Sequence, residues 1–311
     1  MKPKVLFMMP PAWASLGKEL FASPAYDVLL HGKDEYRPGE VDYFVGFRPP
    51  PGFLKSLTNL KLIISMGAGV DGFLADPQLP RNIPLVRFTD PSLAYEMAQY
   101  VTMHALIIHR HQRFFDAAQA EGVWRQLMMQ RATDRTHIGI LGLGEIGGKI
   151  AERLALYGFP VSGWSKTRKN FSGVKSFAGN GELGAFLGQC DILACVLPQT
   201  PETVNMVDRD FLAQLPKDAW LINVARGSLI VEADLIAALD SGHLGGAVLD
   251  VFRVEPLPQD SPIWRHPKIT VTPHVAGLTD PRMALAYVES CVTRWEAGQP
   301  LADIVDLDRG Y

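Results

Sequence analysis

The sequence predicts an α/β protein with two doubly wound parallel-sheet domains. Short apolar runs alternate with segments of helical period along most of the 311 residues. This alternation is typical of β-α-β units whose parallel sheet is covered on both faces. A glycine-rich turn at residues 142–147 opens a second series of strands. The length also favours two domains, because single hydrophobic cores stop growing at about 250–300 residues.

The strands are predicted from the short apolar runs, taken in chain order. The first series lies in the first third of the chain, and the second begins just before the glycine-rich turn. The predicted strands are residues 5–9, 41–47 and 61–66, then 137–143, 161–164, 191–197, 219–225, 246–252 and 269–272.

Two helices are expected to connect these series. Residues 92–119 contain no Gly or Pro and show helical periodicity, which predicts one long helix that crosses between domains. A second helix is predicted at residues 281–297, and the tail after Pro300 is expected to fold back on the first domain. We therefore expect a substrate-binding domain of residues 1–99 completed by 284–311, and a dinucleotide-binding domain of residues 100–283.

The composition indicates a globular chain with a small-molecule partner. Apolar residues make up 47% of the sequence, and the net charge of −3 provides no long-range attraction for nucleic acid or an anionic membrane. Its three cysteines lack metal-binding spacings and fit free thiols in a reducing compartment. The first apolar run is too short for a signal peptide and stops at Pro10, and no run approaches the length of a membrane span. A cytoplasmic location is expected.

The glycine-rich turn is predicted to bind the phosphates of a dinucleotide. It follows a predicted strand and opens a helix, which is the context that gives this spacing its meaning. Gly142 permits the tight turn, Gly144 lets the backbone approach a pyrophosphate, and Gly147 lets the helix pack close to the strand. The helix N-terminus then supplies amides and a positive dipole end. The alternative is a purely structural glycine turn.

The end of the next strand favours NADPH over NADH. An NAD-selective site places an acid here for the ribose hydroxyls, but residues 164–169 contain none. Ser165, Lys166 and Arg168 instead suit a 2′-phosphate, which carries additional charge and acceptor oxygens. A solvated basic loop is the alternative interpretation. NADPH is therefore the expected cofactor, and NAD stays possible.

Three later strand ends carry side chains suited to hydride transfer. Arg226 follows one strand, Asp250 and Glu255 lie at the end of the next, and His274 follows the last. Ligands bind at the carboxyl ends of strands in open α/β sheets. Arginine holds a carboxylate bidentately, and histidine delivers a proton near neutral pH, with a glutamate to fix its tautomer and favour its charged form.

These segments resemble the D-isomer-specific 2-hydroxyacid dehydrogenase family. The resemblance rests on N-x-A-R-G at residues 223–227, on L-D-V-F-x-x-E-P-L at 249–257 and on T-P-H at 272–274. Residues 67–71 look like that family's substrate-carboxylate loop. Residues 164–168, 261–267 and 309–311 look most like its bacterial NADPH-dependent glyoxylate/hydroxypyruvate reductases of the A type. The resemblance implies a Rossmann cofactor domain inserted in a flavodoxin-like substrate domain, and a homodimer.

The resemblance also implies the roles of the site residues in reducing a 2-keto acid. Arg226 would hold the substrate, with amides of Ala68 and Gly69 on its carboxylate from the other domain. His274 would protonate the carbonyl oxygen, supported by Glu255. Together, the turn, the basic loop and the resemblance give as expected cofactor contacts Gly142, Gly144, Glu145, Ile146, Gly147, Ser165, Lys166, Arg168, Leu197, Pro198, Val224, Ala225 and Asp250.

Several alternatives stay open at this point. Asp250 would hold the nicotinamide carboxamide or serve as a structural cap, and residues 67–71 could be only a turn. His104, His109 and His111 lack the i, i+4 spacing of a helical zinc site, and no metal is expected. A dinucleotide-sensing binding protein of the same fold is the second function class. Other family members act on lactate, phosphoglycerate, formate or phosphite.

Overall fold

A computed structural model describes residues 2–10, 13, 18–89, 92–127 and 131–308. The chain forms two compact units. The first contains the described residues of Met1–Pro91 and Thr279–Tyr311, and the second is Ser92–Leu278. The predicted boundaries at 99/100 and 283/284 fall inside helices, whereas the observed divisions precede those helices and leave each one whole.

The first unit is a five-stranded parallel sheet in the order β2-β1-β3-β4-β5, the flavodoxin-like order. Alternate side chains of β1 enter different cores: Val5 and Phe7 pack with the C-terminal helix α9, and Leu6 packs on the opposite face. Its elements are β1 Lys4–Met8, β2 Asp27–Leu30, β3 Tyr43–Gly46, α1 Phe53–Ser56, β4 Leu62–Ser65, α2 Asp71–Leu74, β5 Leu85–Arg87 and α9 Pro281–Glu296.

The second unit is a seven-stranded parallel sheet in the order β12-β11-β10-β9-β6-β7-β8. The strand order reverses between the parallel neighbours β6 and β9: β7 and β8 lie on one side of this point and β10 to β12 on the other, as in Rossmann folds. Its elements are α3 Leu93–His109, α4 Gln112–Ala120, β6 Ile138–Leu141, α5 Glu145–Leu156, β7 Val161–Ser165, β8 Val174–Ala178, α6 Asn180–Leu187, β9 Ile192–Cys195, α7 Arg209–Leu212, β10 Ala219–Asn223, α8 Glu232–Asp240, β11 Leu244–Leu249 and β12 Ile269–Val271.

Each predicted strand is confirmed, although most are shorter than predicted. Three strands were missed, namely β2, β5 and β8, which all lie at sheet edges. An edge strand is exposed on one side, so its sequence lacks the continuous apolar run of a central strand. In β8, for example, only Phe177 is buried.

The prediction of one helix over residues 92–119 is wrong. The helix breaks after α3, where His111 adopts a left-handed conformation with φ 53° and begins α4. Both helices belong entirely to the second unit, so neither crosses to the first. The break involves ordinary residues, and no Gly or Pro in the sequence marks it.

The tail, the cysteines and the helix lengths agree with the sequence analysis within the described residues. The tail folds back, since the Val305 amide donates to the Leu85 carbonyl oxygen at 2.9 Å. Residues 309–311, which contributed to the resemblance, lie outside the described part. Cys190, Cys195 and Cys291 are buried free thiols, and burial raises the pKa of Cys195 to about 12. None of the described helices combines the length and apolarity needed to cross a bilayer.

Candidate active site

The glycine-rich turn joins β6 to α5 at the centre of the second sheet. Gly142 has φ 117°, a conformation that side chains rarely adopt. A Cβ at Gly147 would collide with the carbonyl oxygen of Gly142, so only glycine lets α5 begin this close to the strand. By contrast, nothing lies within 4 Å of a Cβ built on Gly144. The first turn of α5 therefore opens onto free space, which fits a dinucleotide phosphate.

The loop after β7 carries two cations that already have carboxylate partners. Nη1 of Arg168 donates to the Ser176 carbonyl oxygen at 2.5 Å, and Nη2 donates to Oε1 of Glu182 at 2.5 Å. Lys166 forms an ion pair with Glu202. Glu182 is also held by the Ala178 amide at 2.7 Å. Both arginine partners fix the guanidinium in one place while leaving N–H donors for a further anion.

Neither carboxylate was foreseen from the sequence. Glu182 comes from the first turn of α6, and Glu202 from the loop after β9. Glu182 follows β8, the neighbour of β7 in the sheet, whereas Glu202 follows β9, which lies two strands from β7. Ser165, the third predicted phosphate contact, closes β7 and donates its hydroxyl to the Thr167 carbonyl oxygen at 2.7 Å.

The turn after β10 presents Arg226 and is braced by a buried asparagine. Asn223 is fully buried, and its side chain accepts from the Ala225 amide at 3.1 Å and donates to the Arg226 carbonyl oxygen at 3.0 Å. Arg226 is half-buried. A Cβ at Gly227 would collide with the backbone of Phe252, so this turn lies directly against the segment that follows β11. That close approach brings the arginine turn beside the glutamate turn.

His274 and Glu255 form the predicted pair. Nδ1 of His274 lies 2.8 Å from Oε2 of Glu255. The other carboxylate oxygen accepts from the Phe252 amide at 2.9 Å, which holds the glutamate in place. Because Glu255 accepts from Nδ1, the second ring nitrogen, Nε2, is the one left for another partner. The His274 side chain is 48% exposed.

Asp250 organises the turn that carries His274. It is 1% exposed, and three consecutive amides converge on it. Its carbonyl oxygen accepts from His274 N at 2.8 Å, and its carboxylate accepts from Val275 N and Ala276 N, each at 2.9 Å. The Thr272 hydroxyl donates to the same carboxylate at 2.5 Å. These bonds hold His274 in a left-handed conformation with φ 55°.

In the first unit, residues 67–70 form a loop between β4 and α2, and Asp71 begins α2. The Ser65 hydroxyl, at the buried end of β4, donates to the Gly67 carbonyl oxygen at 2.9 Å. Two arginines flank the loop: Nη2 of Arg48 lies 3.5 Å from Asp71, and Nη1 of Arg87 lies 3.5 Å from the Ala68 carbonyl oxygen. Arg87 was missed by the sequence analysis. A cation at the carboxyl end of β5 would have indicated it, had that edge strand been recognised.

Two histidines of α3, His104 and His109, lie in different surroundings. Both ring nitrogens of His109 contact threonine hydroxyls, Nε2 with Thr133 at 3.3 Å and Nδ1 with Thr136 at 3.2 Å. His104 is 5% exposed, and its burial lowers its pKa. Its Nε2 has no hydrogen-bond partner within the described part of the chain.

The remaining predicted residues also lie at carboxyl strand ends of the second sheet. Leu197 and Pro198 follow β9, which lies beside β6 in the sheet. Val224 and Ala225 are buried after β10. Glu145 and Ile146 begin α5. The cofactor predictions thus share one edge of one sheet, whereas Ala68 and Gly69 belong to the other unit.

Known proteins with similar sequences and structures identify the family. A model of the NAD-binding domain of D-isomer specific 2-hydroxyacid dehydrogenases matches residues 102–276. Glyoxylate/hydroxypyruvate reductase A of Klebsiella pneumoniae (strain 342) is 42% identical over 287 residues, which cover 89% of this chain and 91% of that protein.

Two solved structures cover the whole of both chains. The NADPH-dependent glyoxylate/hydroxypyruvate reductase of Sinorhizobium meliloti, in complex with NADP and sulfate, is 36% identical with a TM-score of 0.91. A D-isomer specific 2-hydroxyacid dehydrogenase of Xanthobacter autotrophicus Py2, in complex with NADPH and MES, is 40% identical with a TM-score of 0.87. This chain therefore belongs to the D-isomer specific 2-hydroxyacid dehydrogenase family and is an NAD(P)-dependent oxidoreductase.

Proposed function

We propose that this protein is an NADPH-dependent reductase of small 2-keto acids, converting glyoxylate to glycolate and hydroxypyruvate to D-glycerate. The observation that carries the proposal is the 2.8 Å contact between His274 and Glu255. It lies beside the Arg226 turn, at the same sheet edge as an open glycine-rich turn. The relatives named above as reductases of glyoxylate and hydroxypyruvate support this choice of substrates.

The cofactor would bind along the carboxyl edge of the second sheet. The turn at residues 142–147 would hold its pyrophosphate, with Ser165, Lys166 and Arg168 on the 2′-phosphate. Leu197, Pro198, Val224 and Ala225 would line its path toward the nicotinamide. When bound, the cofactor supplies the hydride that reduces the substrate carbonyl. The neighbouring structures that contain NADP or NADPH support this preference.

The substrate would be held and protonated by the chain's own side chains. Arg226 offers a planar fork that binds a 2-keto carboxylate bidentately. His274, with Nδ1 committed to Glu255 at 2.8 Å, donates a proton from Nε2 to the carbonyl oxygen as negative charge develops there. The carboxylate of Glu255 compensates the positive charge of the imidazolium that donates this proton.

Two further roles belong to this proposal. Backbone amides of Ala68 and Gly69 would bind the substrate carboxylate, as the resemblance implies. Asp250 uses three acceptor positions of its carboxylate on Thr272, Val275 and Ala276. A carboxylate has about four such positions. The position that remains is available to the nicotinamide carboxamide, as the resemblance implies.

The proposal is tested by NADPH consumption against a panel of 2-keto acids, repeated with NADH. Glyoxylate and hydroxypyruvate should give the highest kcat/KM, ahead of phenylpyruvate and branched keto acids. The His274→Ala variant should lose about 10²–10⁴-fold in kcat, because proton delivery is removed. Fluorescence titration should show that this variant and Arg226→Ala still bind NADPH.

A matched control is available in the same unit. His266 also pairs with a carboxylate, its Nε2 lying 3.3 Å from Asp240, but it precedes β12 at the opposite sheet edge. The His266→Ala variant should therefore keep full turnover. Near-normal activity of His274→Ala would reject the assignment. NADPH binding without turnover on any keto acid would instead favour a dinucleotide-sensing binding protein.

Oligomeric state and location stay predictions. We propose a homodimer, in keeping with the family resemblance. Trp124 is 90% exposed in the single chain, and a subunit interface would bury so large an apolar side chain. Sedimentation velocity would test this directly. A cytoplasmic location agrees with the three free thiols.

A further inference from the structure

A chain of hydroxyl groups connects helix α3 to the turn that carries His274. The hydroxyl of Tyr100 lies 2.6 Å from Oγ1 of Thr272, and Thr272 in turn lies 2.5 Å from the carboxylate of Asp250. Tyr100 is half-buried on α3 and packs against the His104 ring one helical turn later, with ring centroids 4.5 Å apart and ring planes tilted by 53°. No other residue links α3 to this turn by a side-chain hydrogen bond among those described.

The direction of the proton donors follows from the carboxylate. The carboxylate of Asp250 accepts from Thr272 and from two amides, so the single hydroxyl proton of Thr272 points at it. Thr272 then has only lone pairs left for Tyr100, and the tyrosine hydroxyl must be the donor. Burial raises the pKa of Tyr100 to about 12, so it keeps that proton throughout the neutral range. The bonds therefore run in one direction, from Tyr100 to Thr272 to Asp250.

Asp250, the last group in this series of hydrogen bonds, holds the backbone of the turn that carries His274. The carboxylate that Thr272 orients accepts the Val275 and Ala276 amides, and the Asp250 carbonyl oxygen accepts the His274 amide. His274 is left-handed, with φ 55°, a conformation that a non-glycine residue keeps only when its surroundings impose it. A rotated Asp250 carboxylate would lose two of these restraints at once.

We propose that Tyr100 and Thr272 are positioning residues for His274, acting through the carboxylate of Asp250. Tyr100 fixes the hydroxyl of Thr272 from the rigid helix α3, Thr272 fixes the carboxylate, and the carboxylate fixes the left-handed turn beneath the imidazole. Neither residue touches substrate or cofactor in this scheme. The inference rests on the proposed function of His274 as proton donor, and it adds the support on which that donor depends.

The test uses variants that remove or keep each hydroxyl. Tyr100→Phe and Thr272→Val remove one hydroxyl with little change of shape, and Thr272→Ser keeps it. Both removals should lower kcat about 10-fold, within the roughly 100-fold loss that a displacement of about 1 Å at a reacting group produces. The KM for the keto acid should stay within about twofold, because Arg226, which would hold the substrate, takes no part in these hydrogen bonds.

Two comparisons separate positioning from mere stability. Thr272→Ser should restore kcat, and the double variant Tyr100→Phe/Thr272→Val should be no slower than Thr272→Val alone, because Tyr100 acts only through Thr272. Tyr43→Phe is the matched control: Tyr43 also donates to a carboxylate, that of Glu296, but in the first unit. It should change only the Tm. Wild-type kcat in both hydroxyl removals, or Thr272→Ser as slow as Thr272→Val, would overturn the proposal.

A second readout does not depend on turnover. In cofactor-free protein with ¹⁵N-labelled histidine, the His274 ring signals are identified by their loss in His274→Asn. They should shift or broaden in Tyr100→Phe and in Thr272→Val, but match wild type in Thr272→Ser. Unchanged His274 signals in both removals would overturn the positioning role. A wild-type protein without reductase activity would reject the proposed function, and the ring signals would then decide the positioning role alone.

Discussion

Replacing Arg168 with alanine should remove most of the preference for NADPH. The guanidinium is held by Ser176 and Glu182 at the end of β7, so it is placed before any cofactor arrives. A hydrogen bond to a charged group contributes about 1.5–3 kcal/mol, which corresponds to roughly 10- to 100-fold in affinity. The Arg168 side chain is 58% exposed, so screening by water and salt favours the lower limit. We expect NADPH to bind about 10-fold more weakly.

NADH has no 2′-phosphate, so its affinity should change by less than about twofold. Fluorescence titration of both cofactors against wild type and Arg168→Ala measures this ratio, and competition by 2′,5′-ADP against 5′-AMP isolates the phosphate. Arg168→Lys should give an intermediate result, because the charge stays but the planar fork is lost.

Arg131→Ala is the matched control for this measurement. Arg131 is 56% exposed and pairs with Asp191, but that carboxylate precedes β9 at the opposite sheet edge. It should leave both affinities unchanged. If Arg168→Ala weakened the binding of NADPH and of NADH equally, Arg168 would not contact the 2′-phosphate. Equal affinities of the wild type for the two cofactors would reject the preference itself.

Three more perturbations follow from the site and its surroundings. Glu202→Gln should tighten NADPH binding without affecting NADH, because Lys166 no longer has a competing carboxylate; weaker NADPH binding in the titration would contradict this. Asp250→Asn should lower the free energy of unfolding in urea by about 1–3 kcal/mol, because an amide N–H would face a backbone N–H in a buried place; an unchanged urea midpoint would contradict it. Burial lowers the pKa of His104 below 6.5 in the folded protein. As the pH falls, this histidine is therefore protonated in the unfolded chain first, and the free energy of unfolding decreases below about pH 6.5. The free energy of unfolding should therefore fall less between about pH 7.5 and pH 5.5 in His104→Phe than in wild type, and equal falls would exclude His104 as a cause.

The sequence predicted the central strands well because burial on both faces leaves a continuous apolar run. In β6, β9 and β4 each residue is buried, and each was predicted. The edge strands β2 and β5 carry no such run, and in each a polar residue interrupts or limits a short segment. The helix break at His111 was also missed. A left-handed conformation can be predicted where glycine occurs, but here a histidine adopts it.

The positions of single side chains could be predicted from the sequence, whereas their roles stay a prediction. His274, Glu255 and Arg226 lie where expected because each follows a recognisable strand in a specific motif. Asn223 stood in the same motif, but its brace across the arginine turn depends on two backbone contacts that only the fold supplies. Glu182 likewise reaches Arg168 from another element of the sheet.

The buried carboxylate of Asp250 explains how a strained histidine persists at this edge. A left-handed non-glycine residue costs about 1–3 kcal/mol. Each hydrogen bond to an ionised carboxylate contributes about 1.5–3 kcal/mol, and Asp250 accepts three through its carboxylate and one more through its carbonyl oxygen. These bonds exceed the strain only while the carboxylate keeps its orientation. The left-handed conformation of His274 is therefore held by groups beneath the turn, and the positioning role proposed for Tyr100 and Thr272 depends on the same hydrogen bonds.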